Sequence, residues 1–539
     1  MKNNFTLSYY IDNLLIKTNS SNDDVIISED YLDNEVIISI KTNKKILLEK
    51  AQMQIDYHID DDYYFFNGYQ SWTDSFEKHA KEKEKNVYHI PSIVRKMYAL
   101  DKYGDATFYN YKKNIQHSYD IFYSKNENDP LFIYNKNYQY AYLIIELLKK
   151  DKSHLTLTSD IKGIELKENE EIKIFNFALY YDYYQGIDAF RNYFTSRCNK
   201  KLLGYTSWYN YYNKINEEII IRDLESLDER FEVFQIDDGY QMYVGDWLDI
   251  NKEKFPNGMQ EIVTKIHNKK MLAGIWLAPF ASEYNSKLFK EHPNYFIKDK
   301  NGEFLKAGGN WSGFYALDLS KQEVCDYIKK CLEYYMDLGF DFFKLDFLYC
   351  AHIIPFDGKS RAMTADFCYK FLRSILKDKY ILGCGANIIS SYNNFDYLRI
   401  GPDVSLKFDD VFYMRIMHRE RISTKVTLQN TIFRSLFNHH LFQNDPDVFL
   451  LRDDNLSLKY ENRRALITIN ALFGSLLFTS DNIKTYNEKE QKLLSDALYL
   501  FHNAKNKHYK RYKNEIAISY EIDGKKVNLI YDIKRGILK

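Results

Sequence analysis

The sequence predicts an α/β protein, a (β/α)8 TIM barrel preceded by an N-terminal β-sandwich domain and followed by a small C-terminal antiparallel β domain. Three observations predict it. From about residue 200, short apolar runs alternate with stretches of helical spacing, eight times over, which is the rhythm of strand–helix units closing a parallel sheet. Before that point the apolar runs are β-branched or aromatic and are separated by Asn/Asp-rich turns, the pattern of a sandwich. After about residue 508 strict alternation returns, in a segment too short for a core of its own. The corresponding boundaries are 1–185, 186–484 and 485–539.

The N-terminal strands are read at Phe5-Thr6-Leu7-Ser8-Tyr9, Val36 to Ile40, Ala141 to Ile145 and Ile172 to Asn176. A bridging helix is expected over 187–197. The barrel strands follow at Gly204 to Trp208, Phe231 to Ile236, Met271 to Trp276, Phe340 to Phe347, Tyr380 to Cys384 and Tyr397 to Gly401, with a seventh near Leu441 and an eighth at Ser475 to Thr479. Helices are expected between them at Met259–Lys269, Lys321–Leu338, Ala362–Leu376 and Glu420–Phe437. A doubly wound sheet is the alternative, but it would display a glycine-rich phosphate fingerprint after its first strand. Gly383-Cys384-Gly385 is only a fragment of one.

The 539 residues carry 74 basic and 75 acidic side chains, a net charge of −1, which argues against a nucleic-acid or anionic-membrane partner. The start, Met1-Lys2-Asn3-Asn4-Phe5, lacks an apolar leader, and no run is long enough to span a bilayer. The six cysteines show no paired or zinc-like spacing, so free thiols in a reducing cytoplasm are expected. His267, His292, His352, His439 and His440 lack metal-ligand spacing, and neither metal nor cofactor is expected. A homo-oligomer is left open.

In such a barrel, polar residues at the C-terminal strand ends line the site. That filter collects Trp208, Asp237, Asp238, Trp276, Lys344, Asp346, Cys384, Arg399, Asp403, Asp445, Asp447 and Asp481. Two acids follow cations on the same run, Asp346 after Lys344 and Asp403 after Arg399. Residues two or four apart on a strand share a face, so each strand end offers a cation and an acid together. Two carboxylates across a pocket are the minimum for cleaving a glycosidic bond, and aromatic platforms suit the apolar face of a sugar. Each feature also has a structural reading: Asp445, Asp447 and Asp481 as helix caps, Trp247 and Trp311 as loop anchors, and Cys384 as a small buried hydrophobe.

The stretch 204–482 resembles the clan of glycoside hydrolase families 27 and 36, the retaining α-galactosidases and α-N-acetylgalactosaminidases. Eight pieces carry the resemblance, in order: Gln235-Ile236-Asp237-Asp238-Gly239, Phe255-Pro256-Asn257-Gly258, Gly274-Ile275-Trp276, Lys344-Leu345-Asp346, Gly383-Cys384-Gly385, Arg399-Ile400-Gly401-Pro402-Asp403, Asn444-Asp445-Pro446-Asp447 and Phe478-Thr479-Ser480-Asp481. By position the resemblance implies Asp346 as nucleophile and Asp403 as acid/base. It implies Asp237 and Asp238 on the 4- and 6-hydroxyls of galactose, Lys344 on ring hydroxyls, Arg399 near the 2-position, and Trp208 and Trp276 as walls. Cys384 and Asp447 complete the candidate substrate-binding set. Ala278-Pro279-Phe280 and Ala386-Asn387 depart from the common family 36 forms. Asn67 to Trp72 is either a loop reaching the pocket or a turn.

The function so implied is exo-hydrolysis of terminal α-linked galactose from an oligosaccharide or glycoside. Arg399 is expected to point at the sugar rather than at Asp403. Small residues at Gly385 and Ala386 leave α-N-acetylgalactosamine as an alternative, and transglycosylation shares every catalytic residue. Lys344 as a Schiff-base lysine and a non-catalytic sugar-binding protein are the readings from other classes.

Overall fold

A computed structural model describes residues 5–84, 86–412, 415 and 422–539. Its N-terminal part shows period-two burial. In His154–Ser159 the side chains of Leu155 and Leu157 turn inward while their neighbours are only partly buried. Such strands form two seven-stranded antiparallel sheets. One sheet contributes Leu7, Leu48, Met53 and Leu157 to a shared core, and the other contributes Ile38, Ile133 and Ile174. This is the expected sandwich.

The strand Leu131–Asn135 is buried along its whole length. Leu131 and Ile133 face the sandwich core, whereas Phe132 and Tyr134 join the core of the barrel. They pack against Phe190 of the helix Tyr183–Tyr193. That helix starts earlier than expected because Asp182 caps it, accepting from the N–H groups of Tyr184 and Gln185. A Cβ at Gly186 would lie 2.3 Å from Phe132, so the close approach of helix and sheet requires glycine there.

The barrel strands are β1 (Leu202–Thr206), β2 (Val233–Ile236), β3 (Leu272–Leu277), β4 (Phe342–Leu345), β5 (Tyr380–Gly383), β6 (Tyr397–Arg399), β7 (Gln443–Asp445) and β8 (Leu476–Thr479). Neighbours pair in parallel from β1 to β7, and β8 pairs with β1. The ring closes through a broken strand. β7 pairs with β6, while its continuation Val448–Phe449 pairs with β8. The break falls at Pro446, which has no N–H, and at Asp447, whose φ is +74°. β7 therefore begins two residues after the expected Leu441. Gly204 leaves room inside the ring for Phe478, whose ring would lie 2.4 Å from a Cβ at that position.

The expected helices form at Gln260–Asn268, Gln322–Asp337 and Arg361–Leu376. The fourth is shorter, Thr424–Phe433 followed by a tight turn over Arg434–Phe437. Residues 420 and 421 of the expected helix lie outside the described residues. After β3 the chain makes an excursion that alternation did not announce, a small antiparallel sheet of Ala281–Glu283, Lys306–Gly308 and Phe314–Ala316. Beyond the barrel, 485–503 is mainly helix, Glu488–Asn503, held by a capping box at Asn487 and Glu490. Four antiparallel strands over residues 505–538 follow it. Among the described residues no helix is long and apolar enough to cross a membrane.

Candidate active site

The site is a pocket of about 490 Å³ at the C-terminal end of the barrel. Its floor comes from β2 and β4. Asp237 and Asp238 follow β2 directly, and both are buried. Asp237 Oδ2 accepts from Lys344 Nζ at 2.8 Å, Gln235 Nε2 at 2.8 Å and Thr206 Oγ1 at 3.1 Å. Burial opposes the charge on Lys344, but Asp237, together with Cys384 and Asp346, more than offsets this and holds the lysine pKa above its ordinary value. Among the described residues Asp238 forms no ion pair. Burial pushes its pKa up to about 6, against hydrogen bonds from Gln241 and Trp311 and with added repulsion from Asp237 and Glu283. Gln241 Nε2 donates to its Oδ1 at 2.6 Å and Trp311 Nε1 to its Oδ2 at 2.8 Å.

Asp346 lies just beyond β4, where the chain stops running as a strand. Its N–H still donates to Leu277 at 2.8 Å, but the next residue, Phe347, has φ +53°. That left-handed turn costs a non-glycine residue some backbone strain. It brings the Phe347 N–H onto Asp346 Oδ1 at 2.8 Å, while Trp276 Nε1 donates to Oδ2 at 3.0 Å. Burial raises the Asp346 pKa, and Lys344 and the indole N–H counteract this. The carboxylate is thus oriented by two donors and screened by a nearby cation that pairs elsewhere.

Arg399 at the end of β6 behaves differently. Its Nη1 donates to Asp403 at 2.9 Å and its Nε to Asp445 at 2.9 Å, and its Nη2 forms an ion pair with Asp447 at 2.7 Å. The Asp403 side chain is 33% exposed, against 3% for Asp445 and 0% for Asp447, so only Asp403 opens into the pocket. The expectation that Arg399 turns toward the sugar is corrected: three carboxylates surround it and hold it beneath the surface. Asp447 is corrected with it, since its Oδ2 also accepts from Val404 N–H at 2.7 Å. Asp481 is likewise structural, paired with Arg452 at 2.6 Å, and none of these acids serves as a helix cap.

The N-terminal domain supplies one wall. Ser71 N–H donates to Ala386 O at 3.0 Å, and Asn387 Nδ2 donates to Tyr69 O at 2.9 Å. Arg434, fully buried, donates to Ser71 O at 2.7 Å, Gln70 O at 3.0 Å and Ile400 O at 2.8 Å. This one guanidinium fork ties the loop carrying Trp72 to the loop carrying Asp403. The Trp72 ring lies over Gly385, 2.8 Å from where a Cβ would stand. The room read from the small residues Gly385 and Ala386 is therefore occupied by Trp72 and Ser71.

Of the candidates, the pocket gathers Trp208, Asp237, Asp238, Trp276, Lys344, Asp346 and Asp403. Trp208 sits on a short helix two residues past β1 rather than on the strand. Cys384, Arg399 and Asp447 do not line it; Cys384 is a buried thiol. Trp72, Tyr103, Asn310 and Trp311 line it without having been assigned to it. For Trp311 a sequence signal existed, an aromatic residue set among Gly308, Gly309 and Gly313 in a long loop. Among the described residues, His58, Asp60 and Asp129 form one group with metal-ligand geometry. It belongs to the sandwich and not to the pocket.

Comparison with known proteins agrees with this architecture. Residues 178–376 match the family model described as Melibiase. A blood-group A α-D-galactosamine galactosaminidase of Flavonifractor plautii is 32% identical over 145 residues, 24% of this chain and 13% of that one. The α-galactosidase AgaA of Geobacillus stearothermophilus is 28% identical over 130 residues, 23% of this chain and 17% of that one. The matched stretches thus span under a fifth of these relatives. In structure, an α-galactosidase from Thermus thermophilus, solved with p-nitrophenyl α-D-galactopyranoside, superposes with TM-score 0.71 at 21% identity, covering 93% of this chain and 99% of that one. A family 36 α-galactosidase from Geobacillus stearothermophilus superposes with TM-score 0.63 at 11% identity, covering 97% and 80%. Fold and site define a sandwich-and-barrel protein with an acidic, aromatic pocket. Over residues 178–376 the chain is similar to the melibiase family.

Proposed function

We propose that this protein is a retaining exo-α-galactoside hydrolase, with Asp346 as nucleophile and Asp403 as acid/base. The observation that carries the reading is that two carboxylates from different strand ends open into one pocket whose floor holds Asp237, Asp238 and Lys344. Asp346 is held by Trp276 and the Phe347 N–H, so its attack on the anomeric carbon needs little reorganisation. Asp403 then protonates the leaving oxygen, and as a carboxylate it activates the water that releases the sugar. Retention requires the two carboxyls ~5–5.5 Å apart. Asp237 and Asp238 accept from sugar hydroxyls, and Lys344 donates to them.

The relatives named as α-galactosidases support the galacto assignment. The relative named as a galactosaminidase keeps the 2-acetamido sugar as a second reading. The wall formed by Trp72 over Gly385 favours galactose, because it fills the space that the larger substituent was expected to use. All six cysteines are buried and unpaired, which supports a reducing compartment such as the cytoplasm. A panel of nitrophenyl α-glycosides tests the assignment, with the first-formed anomer read by NMR. Release of α-galactose from the α-galactoside alone is expected. Equal turnover of the α-glucoside, or release of the β-anomer first, would overturn it.

A further inference from the structure

Trp311 is held in a backbone conformation that its side chain disfavours. Its φ is +53°, in the left-handed region, where a bulky residue stores strain unless its surroundings fix it. On one side Glu283 supplies the fixing, its Oε2 accepting from the Ser312 N–H at 3.2 Å and the Ser312 hydroxyl at 2.7 Å. On the other side the N-terminal domain supplies it through Tyr103. The Tyr103 hydroxyl accepts from the Gly309 N–H and lies on Asn310 Oδ1, both at 2.6 Å. A Cβ at Gly309 would stand 2.4 Å from Tyr98 O, so this close approach requires glycine. Tyr103 itself stands on a fixed base. Two residues on, Asp105 Oδ1 accepts from the Tyr69 N–H at 3.0 Å and the Thr73 hydroxyl at 2.7 Å, and its Oδ2 lies 2.7 Å from His117 Nε2.

A phenol has one proton to give. With the Gly309 N–H already pointing at its oxygen, Tyr103 gives that proton to Asn310 Oδ1 and so fixes the amide. The Asn310 NH2 is left as a donor at the pocket wall, where among the described residues it makes no hydrogen bond. One residue further, the same loop sets the Trp311 indole N–H on Asp238.

Resting on the galactosidase reading, we propose that Tyr103 is a positioning residue for substrate binding: its hydroxyl sets the Asn310 amide and holds Trp311 against Asp238. The N-terminal domain is thereby coupled to an acid of the barrel floor. Asp238 is faced by Asp237 and Glu283, which repel its charge, by Lys254, and by Tyr240, Gln241 and Trp311. Of these, Trp311 is the one whose loop Tyr103 holds. Its indole N–H favours the carboxylate over the neutral acid, so loosening that contact moves the Asp238 ionisation to higher pH. Burial pushes the Tyr103 pKa up to about 12, so the hydroxyl keeps its proton throughout the range in which Asp238 titrates.

The test measures kcat and KM of Tyr103→Phe on nitrophenyl α-galactoside from about pH 4 to pH 8. KM should rise roughly threefold to tenfold, with a smaller change in kcat. The pH at which KM falls should move upward from its wild-type position. Trp311→Phe should show the same upward movement, and adding Tyr103→Phe to it should move the profile no further, because residues that act through one contact are not additive. KM does not depend on the amount of folded enzyme, so a loss of stability alone would not imitate these results. A KM in Tyr103→Phe that matches the wild type, or a pH profile that does, overturns the proposal. A displacement that adds to that of Trp311→Phe overturns the route through the indole. Failure of the wild type to cleave the α-galactoside would instead overturn the galactosidase reading, and the positioning role with it.

Discussion

The ends of β4 and β6 are written alike, a cation followed by an aspartate, yet they fold into opposite electrostatic arrangements. Lys344 turns across the floor to Asp237, leaving Asp346 to Trp276 and a backbone N–H. Arg399 keeps its aspartate, bonding Asp403 directly, and takes Asp445 and Asp447 as well. The difference follows from the two cations. A lysine is a point charge that one carboxylate satisfies, whereas a guanidinium has five donors and can join several acids. One strand end thus presents a carboxylate free of a direct ion pair. The other presents one tethered to a buried cation, with its outer oxygen open to the pocket.

The sharpest test of this contrast removes one acid at a time. Asp346→Asn should lower kcat by on the order of 10⁴ or more on every α-galactoside, since the glycosyl-enzyme cannot form. Measurable turnover within tenfold of the wild type would remove Asp346 from the mechanism. Asp403→Ala should cost about 10² to 10⁴, depending on the leaving group's need for a proton. Activated aryl galactosides should be least affected and should accumulate the covalent intermediate. Azide should restore turnover in this variant and release α-galactosyl azide, because it displaces Asp346 from the face that water uses. Release of α-galactosyl azide by Asp346→Ala, and of the β-anomer by Asp403→Ala, would mean that the two ends of the comparison are exchanged.

How much of this was legible depends on where a residue sits in the chain. Asp237, Asp238, Trp276, Lys344 and Asp346 could be gathered from sequence because a parallel barrel sends every strand's C-terminal end to one face. Strand position alone then predicts proximity. Arg399 shows the limit. Its place was readable, but its direction depended on Asp445 and Asp447 arriving from β7, which no spacing within β6 encodes. Trp72, Tyr103 and Trp311 fall outside the strand rule altogether. They reach the pocket on loops, and Trp72 is held there by Arg434, more than 350 residues away in sequence. The two-residue break in β7 was hidden for a different reason, because Asn444-Asp445-Pro446-Asp447 reads as a turn until its halves are seen pairing with different neighbours.

A smaller effect is expected where the two strand ends differ in their cation. Lys344→Met leaves Asp237 buried without its partner, and removing one member of a buried ion pair typically costs about 3–5 kcal/mol. The denaturation midpoint should fall accordingly, with kcat/KM. Restoring neutrality by also making Asp237→Asn should recover much of the stability but not the activity. If the double variant is no more stable than Lys344→Met, the pair is not what the lysine serves.

The smallest expected effect concerns the floor acid that, among the described residues, forms no ion pair. Asp238 has its pKa raised from 3.8 to about 6, chiefly by burial. The folded state therefore holds this proton more tightly than the unfolded chain. The stabilisation from the neutral acid is fully present below about pH 4, is lost as pH rises through about 6, and is absent above that. A rise of this size corresponds to about 3 kcal/mol. Asp238→Asn cannot ionise, so its stability relative to the wild type should climb between pH 4 and pH 7 and then level off, whatever constant offset the lost acceptor for Gln241 or Trp311 introduces. Urea denaturation of both proteins at half-unit pH steps measures this directly. In the wild type, KM should also fall as pH rises through 6, because only the carboxylate accepts two sugar hydroxyls at full strength. A stability difference that stays flat across that range would mean that Asp238 ionises as easily as an exposed acid. Trp311 and Gln241 would then be sufficient on their own to do what Lys344 does for Asp237.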